Sequence, residues 1–168
     1  MNECSDFETW ARAATPRLVR LATLLTGSSD EAADVVQDVL LVVYRDWSRI
    51  AAADRIDAYV SRMVVNRHLS TSRRRTRATH REHLSAVPEA GWSPTYGVGE
   101  RIADRDELHT ALGTLGDKQR AIVLLRHVDG VGDDDIAAAV GCSTATVRSQ
   151  ASRALAHLRV ALTAGSRP

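Results

Sequence analysis

The sequence has little from which a stapled, metal-bound or membrane-embedded protein could be built. Cys4 and Cys142 are its only cysteines, one near a terminus and one in a Gly-Cys-Ser turn, so no disulfide framework is expected. Six histidines are scattered, and none sits beside a cysteine at zinc-ligand spacing. His80 and His83, next to Arg81 in a polar stretch, read as solvated. No apolar run reaches roughly 18 residues, so no membrane insertion is expected. The start MNECSDFETW is acidic and lacks a basic-then-apolar leader pattern, which points to the cytoplasm. No Gly-rich phosphate loop or nucleophile signature occurs. The expectation is therefore no enzyme, with no catalytic residue, cofactor or metal. Alternating strand patterns are also missing, which leaves an all-α fold.

What remains is helical. The 168 residues allow one or two domains, and 44% hydrophobic content with a mean hydropathy of −0.20 suits a soluble globular chain. Net charge is +1, but residues 51–81 carry +6. A basic block in a near-neutral chain suggests a local polyanion site, although a solvated charge run would look the same.

The most informative stretch is Asp133 to Leu158. Asp133, Asp134 and Asp135 place negative charge in a first helical turn, where the helix dipole favours it. Ile136, Ala137 and Val140 form an apolar stripe, Gly141 can end that helix, and Ser143 or Thr144 can cap the next. Val147, Ala151, Ala154, Leu155 and Leu158 then repeat at helical spacing. The opposite face carries Thr144, Thr146, Arg148, Ser149, Ser152 and Arg153, donors without an intervening carboxylate. That pattern fits a helix-turn-helix in a DNA groove, and equally a helical hairpin with a solvated basic face.

Upstream, residues 5–26 hold a helical stripe from Phe7 to Leu25, which Pro16 is expected to kink or split. Ser28 to Glu31 matches a capping box before a helix reaching about Trp47. Its buried face is expected to include Val35, Val36, Val39, Leu40, Val43 and Tyr44. Asp34, Gln37, Asp38, Leu41 and Arg45 lie on the other side, a mixture of charge and apolar surface that suggests a partner. Residues 48–56 read as a loop or weak helix. A further helix from about Asp57 to Arg74 turns Arg62, Asn66, Arg67, Arg73 and Arg74 outward, as contact with phosphates and base edges requires.

Residues 76–103 contain two prolines and three glycines and no sustained period, so they read as a linker. Extended, it reaches about 90 Å at ~3.3 Å per residue. About four helices follow, with Asp117 expected to cap the second. The organisation is two small helical domains, 5–75 and 104–164, joined by a flexible linker.

The combination resembles a bacterial sigma factor of the extracytoplasmic-function (group IV) type, sigma-70 family, similar to actinobacterial SigE-type members. DEAADVVQDVLLVVYRDWSRI resembles regions 2.2 to 2.3, AYVSRMVVNRHLSTSRRR region 2.4, and ALGTLGDKQR through ALAHLR region 4. Departures are Leu115-Gly116 where Leu-Pro is usual, Gly132 for a Ser, and Ala145-Thr146-Val147 for Gly-Thr-Val.

The resemblance implies a protein that binds core RNA polymerase and directs it to promoters. Asp34, Gln37, Asp38, Leu41 and Arg45 would dock on the β′ clamp helices, and the C-terminal domain would meet the β flap. Trp47, Arg62, Asn66, Arg67, Arg73 and Arg74 would serve the −10 element. Ser143, Thr144, Thr146, Arg148, Ser149, Gln150 and Arg153 would serve the −35 element, Arg148 and Gln150 as the main readers. These elements lie about 50–60 Å apart at ~34–36 Å per turn, within the linker's reach. An anti-sigma factor is a further partner that the resemblance suggests. The competing readings are a stand-alone helix-turn-helix regulator, which would need an input domain, and a nucleic-acid enzyme using the clustered aspartates to hold magnesium.

Overall fold

The structure is a computed structural model that describes residues 3–82 and 102–165. Most of the expected linker, with His83, lies outside the described residues, as does the side chain of His80. Among the described residues every regular element is a helix.

Helix α1 spans Glu3–Thr26 without interruption, Pro16 included. A proline inside a helix costs ~3 kcal/mol, but Pro16 is exposed while Leu18, Leu21, Ala22 and Leu25 on the next turns are wholly buried. Their burial outweighs one missing backbone bond, so the expected break does not occur.

Helix α2 spans Ser29–Arg45, and the Ser28 side chain accepts the Glu31 N–H as the capping box requires. It buries Val35, Val36, Val39 and Val43. The short α3, Trp47–Ala51, follows. Two aromatic expectations are reversed here. Tyr44 is 54% exposed rather than buried, whereas Trp47 is only 8% exposed. Trp47 packs at 5.5 Å from Phe7 and 5.3 Å from Trp10, closing α3 onto α1.

Helix α4 spans Ile56–Glu82. It passes the expected end at about Arg74 because no proline or glycine stands in its way before Pro88. Val60, Val64, Val65 and Leu69 are buried along it.

The C-terminal half comprises α5 (Ile102–Gly113), α6 (Asp117–His127), α7 (Asp133–Val140) and α8 (Thr144–Gly165). Gly116, not Asp117, occupies the α6 cap position, and no side chain caps it. The Asp117 carboxylate is engaged by the Ser72 hydroxyl and Arg120 instead.

The two halves pack directly on one another. Helix α1 lies against α6, and α4 lies against α6 and α7. The buried apolar residues form one cluster running through both halves.

Candidate nucleic-acid and polymerase interfaces

The C-terminal motif is a helix-turn-helix built as its residues suggest. Ile136, Ala137 and Val140 of α7 and Val147, Ala151, Ala154 and Leu158 of α8 form its core. Gly141 ends α7 at φ +67. A Cβ there would meet nothing within 4 Å, so glycine is favoured by backbone conformation alone. Ser143 is the residue that caps α8, accepting the Thr146 N–H at 3.1 Å.

The three aspartates of α7 have separate partners. Asp133 bridges Arg126 at 2.9 Å and Arg148 at 3.0 Å. Asp134 accepts the Thr144 hydroxyl at 3.0 Å, tying the two helix starts together. Asp135 pairs with Arg62 of α4 across the seam between the halves. The helix dipole favours three carboxylates at this end of α7, and their division among partners is set by the neighbouring helices.

On α8, Arg148, Ser149 and Arg153 are exposed, as are Ser143 and Thr146. Thr144 and Gln150 are half-buried. The Gln150 amide oxygen accepts from Gln119 at 2.7 Å, which turns this residue towards α6.

On α4, Asn66, Arg67, Arg73 and Arg74 are exposed, but several cations are already engaged. Arg67 donates to Asp38 of α2, with its Nε at 2.9 Å. Arg73 donates to the Leu69 carbonyl at 3.0 Å, and Arg75 pairs with Glu31. Arg62 lies 5.4 Å from the Tyr59 ring centroid and is half-buried between it and Asp135. Trp47 does not join this surface, because its ring is consumed by the Phe7–Trp10 cluster.

The expected polymerase face of α2 is open except at Asp38, which is half-buried and paired with Arg67. Leu41 is 62% exposed, and Asp34, Gln37, Tyr44 and Arg45 are exposed around it. Arg45 donates to Asp46 at 3.1 Å; that hydrogen bond raises the arginine's pKa and lowers that of the carboxyl.

Sequence reasoning missed three buried polar residues, two of which hold the seam. Arg120 is 4% exposed and donates to the carbonyls of Leu112, Leu115 and Leu25, the last across the seam at 2.8 Å. Burial lowers its pKa, partly opposed by Asp117. Asp129, with a side chain 1% exposed, accepts from Arg17 at 3.0 Å, and Arg17 also donates to Ser61 at 2.8 Å. His68 is buried with no hydrogen-bond partner for Nε2, and desolvation lowers its pKa. The only available signal was the occurrence of Arg120 and His68 at apolar positions of otherwise regular helical stripes.

A helical scaffold with an exposed amide and arginine surface in one half and a helix-turn-helix in the other defines a bipartite DNA-reading protein. Residues 10–78 match the family described as Sigma-70 region 2, and residues 105–158 match Sigma-70, region 4. The RNA polymerase sigma-E factor of Streptomyces coelicolor is 35% identical over 164 residues, covering 98% of this chain and 90% of that protein. The ECF RNA polymerase sigma factor SigM of Mycobacterium tuberculosis is 30% identical, covering 84% and 69%. Among solved structures, the sigma factor RpoE in complex with the anti-sigma factor NepR, from Bartonella quintana, superposes with a TM-score of 0.77 at 25% identity, covering 94% of this chain and 97% of that one. The chain belongs to the sigma-70 family, as an extracytoplasmic-function RNA polymerase sigma factor. It is a transcription initiation factor that directs RNA polymerase to specific promoters, not a stand-alone regulator.

Proposed function

We propose that the two halves divide promoter reading, with 5–75 serving core polymerase and the −10 element and 104–164 the −35 element. The observation that carries this reading is the placement of donors. Asn66, Arg73 and Arg74 are exposed on α4, and Arg148, Ser149 and Arg153 are exposed on α8. Asn66 takes part in holding a −10 base out of the stack, which costs a few kcal/mol, and the α4 arginines offset that cost at phosphates. Helix α8 enters the major groove, where the exposed Ser143 and Thr146 at its start contact phosphate oxygens, while the Thr144 hydroxyl stays engaged by Asp134. Gln150, held by Gln119, contributes less than Arg148.

The face around Asp34, Gln37, Asp38, Leu41 and Arg45 docks on the β′ clamp helices, because an exposed leucine ringed by charge suits a partner surface. The C-terminal half also meets the β flap. The protein acts in the cytoplasm and performs no catalysis of its own. An anti-sigma factor is a fitting regulator, since the solved relative that it superposes on is bound by one. Arg62 is covered by Asp135 in this conformation, so the seam opens before α4 engages DNA.

The test is run-off transcription with core polymerase on a promoter library, comparing the wild-type chain with Asn66→Ala. The expected result is promoter-specific transcript that requires core, with open-complex formation reduced in the variant more than duplex binding. Specific promoter binding without core would favour an independent regulator.

A further inference from the structure

Arg148 is held from behind. Its Nε donates to Asp133 Oδ2 at 3.0 Å, and the other oxygen of Asp133 forms an ion pair with Arg126 Nη1 at 2.9 Å. The Asp133 side chain is 18% exposed and that of Arg148 68% exposed. The chain Arg126–Asp133–Arg148 therefore links α6, α7 and α8, with the carboxylate clamped in the middle and the last guanidinium projecting outward.

We infer that Asp133 is a positioning residue that fixes Arg148 to read a guanine in the −35 element; this rests on the reading that α8 enters the major groove. The reason is which donors remain. A guanidinium has five N–H donors in a planar fork. With Nε–H committed to Asp133, the Nη1 and Nη2 end is left, and no other acceptor among the described residues holds it. That end presents two parallel donors. Guanine offers two adjacent acceptors, O6 and N7, on its major-groove edge, whereas adenine and cytosine each place a donor there.

The carboxylate also argues against a plain phosphate contact. A negative charge directly behind the cation weakens its attraction for a polyanion. What it contributes is direction, since it removes rotamers that would have to be frozen on binding. Arg153, with no ion pair among the described residues, keeps its full charge and suits a phosphate better. Arg126 serves the arrangement at one remove, by holding Asp133 against α6.

The experiment uses holoenzyme assembled from core polymerase and the full chain. Binding is measured on promoters in which every −35 position is varied in turn. Arg148→Ala is expected to abolish preference for guanine at one position. Asp133→Ala is expected to lower that same preference about fivefold, the low end for a bidentate base contact, with other positions unchanged. Asp133→Asn, which can still accept from Nε, restores part of it. Arg126→Met gives a smaller loss at the same position without touching either partner of the Nε bond. Melting temperatures of all variants separate folding from reading. A purely structural Asp133 would weaken all −35 sequences equally and leave the guanine preference intact, which overturns the inference. If Arg148→Ala itself changes no base preference, the groove reading of α8 fails and the inference falls with it.

Discussion

Arg120 on α6 donates to the backbone oxygen of Leu25 at the end of α1, 2.8 Å away and buried from solvent. The same guanidinium satisfies Leu112 and Leu115 within its own half. One side chain thus closes a turn in the C-terminal half and fastens it to the N-terminal half.

Replacing Arg120 by Met should destabilise the protein by about 2–5 kcal/mol, because buried carbonyls lose their donors. Lys should recover little, since an ammonium cannot span three acceptors in a planar fork. Urea denaturation followed by circular dichroism measures both, and a loss below 1 kcal/mol would show that water replaces the guanidinium.

The Arg62–Asp135 pair blocks an α4 cation that DNA would use. Asp135→Ala should therefore raise the affinity of the free protein for a single-stranded −10 oligonucleotide, by up to about fivefold for a partly exposed pair. Fluorescence anisotropy at fixed salt reads this directly. Unchanged affinity would mean that the seam does not compete with DNA.

Leu41 offers a clean test of polymerase docking. It is 62% exposed and supports nothing in the core, so Leu41→Asp should leave the melting temperature nearly unchanged. Core binding should weaken about tenfold or more if the residue anchors the interface. Asp38→Arg should also abolish core binding, but it breaks the Arg67 contact as well and so disturbs two faces at once. Normal holoenzyme assembly by both variants would place the docking surface elsewhere.

His68 supplies a pH dependence. Burial lowers its pKa, with Asp117 and Glu31 opposing and Arg120 and Arg75 reinforcing the shift. The neutral imidazole is thus favoured in the folded state, while the unfolded chain protonates near pH 6.5. Below that pH the unfolded state binds more protons, so stability should fall on acidification and level off once the folded state is protonated too. The drop in melting temperature from pH 7.5 to 5.5 should be smaller in His68→Gln than in the wild type. Equal drops would assign the effect to other groups.

The helix-turn-helix was readable in the sequence because its signals are local. Gly141 and Ser143 determine the turn between two apolar stripes, and no distant residue is needed to see it. The open face of α2 was readable for a similar reason, since the exposed Leu41 breaks a polar row. What periodicity cannot say is which stripe meets which. The packing of α4 on α6 and α7, and the use of Asp135 to hold Arg62, depend on residues 73 positions apart. Nor does it separate neighbouring aromatics at the end of α2. Tyr44 and Trp47 lie almost one turn apart, and the change of direction at Asp46 exchanges their environments. Pro16 misled for an energetic reason, because a local penalty was set against four buried side chains.

The aromatic cluster that closes α3 onto α1 has an optical consequence. Trp10 and Trp47 lie 5.3 Å apart, and Tyr44 lies 5.1 Å from Phe7 on the rim that faces the proposed polymerase surface. Two indoles this close couple their excited states and produce a strong near-ultraviolet dichroism. With Trp92 replaced by Phe, the remaining tryptophan emission would come from this pair alone. The protein then carries its own spectroscopic gauge of whether the end of α2 is covered, without an added label.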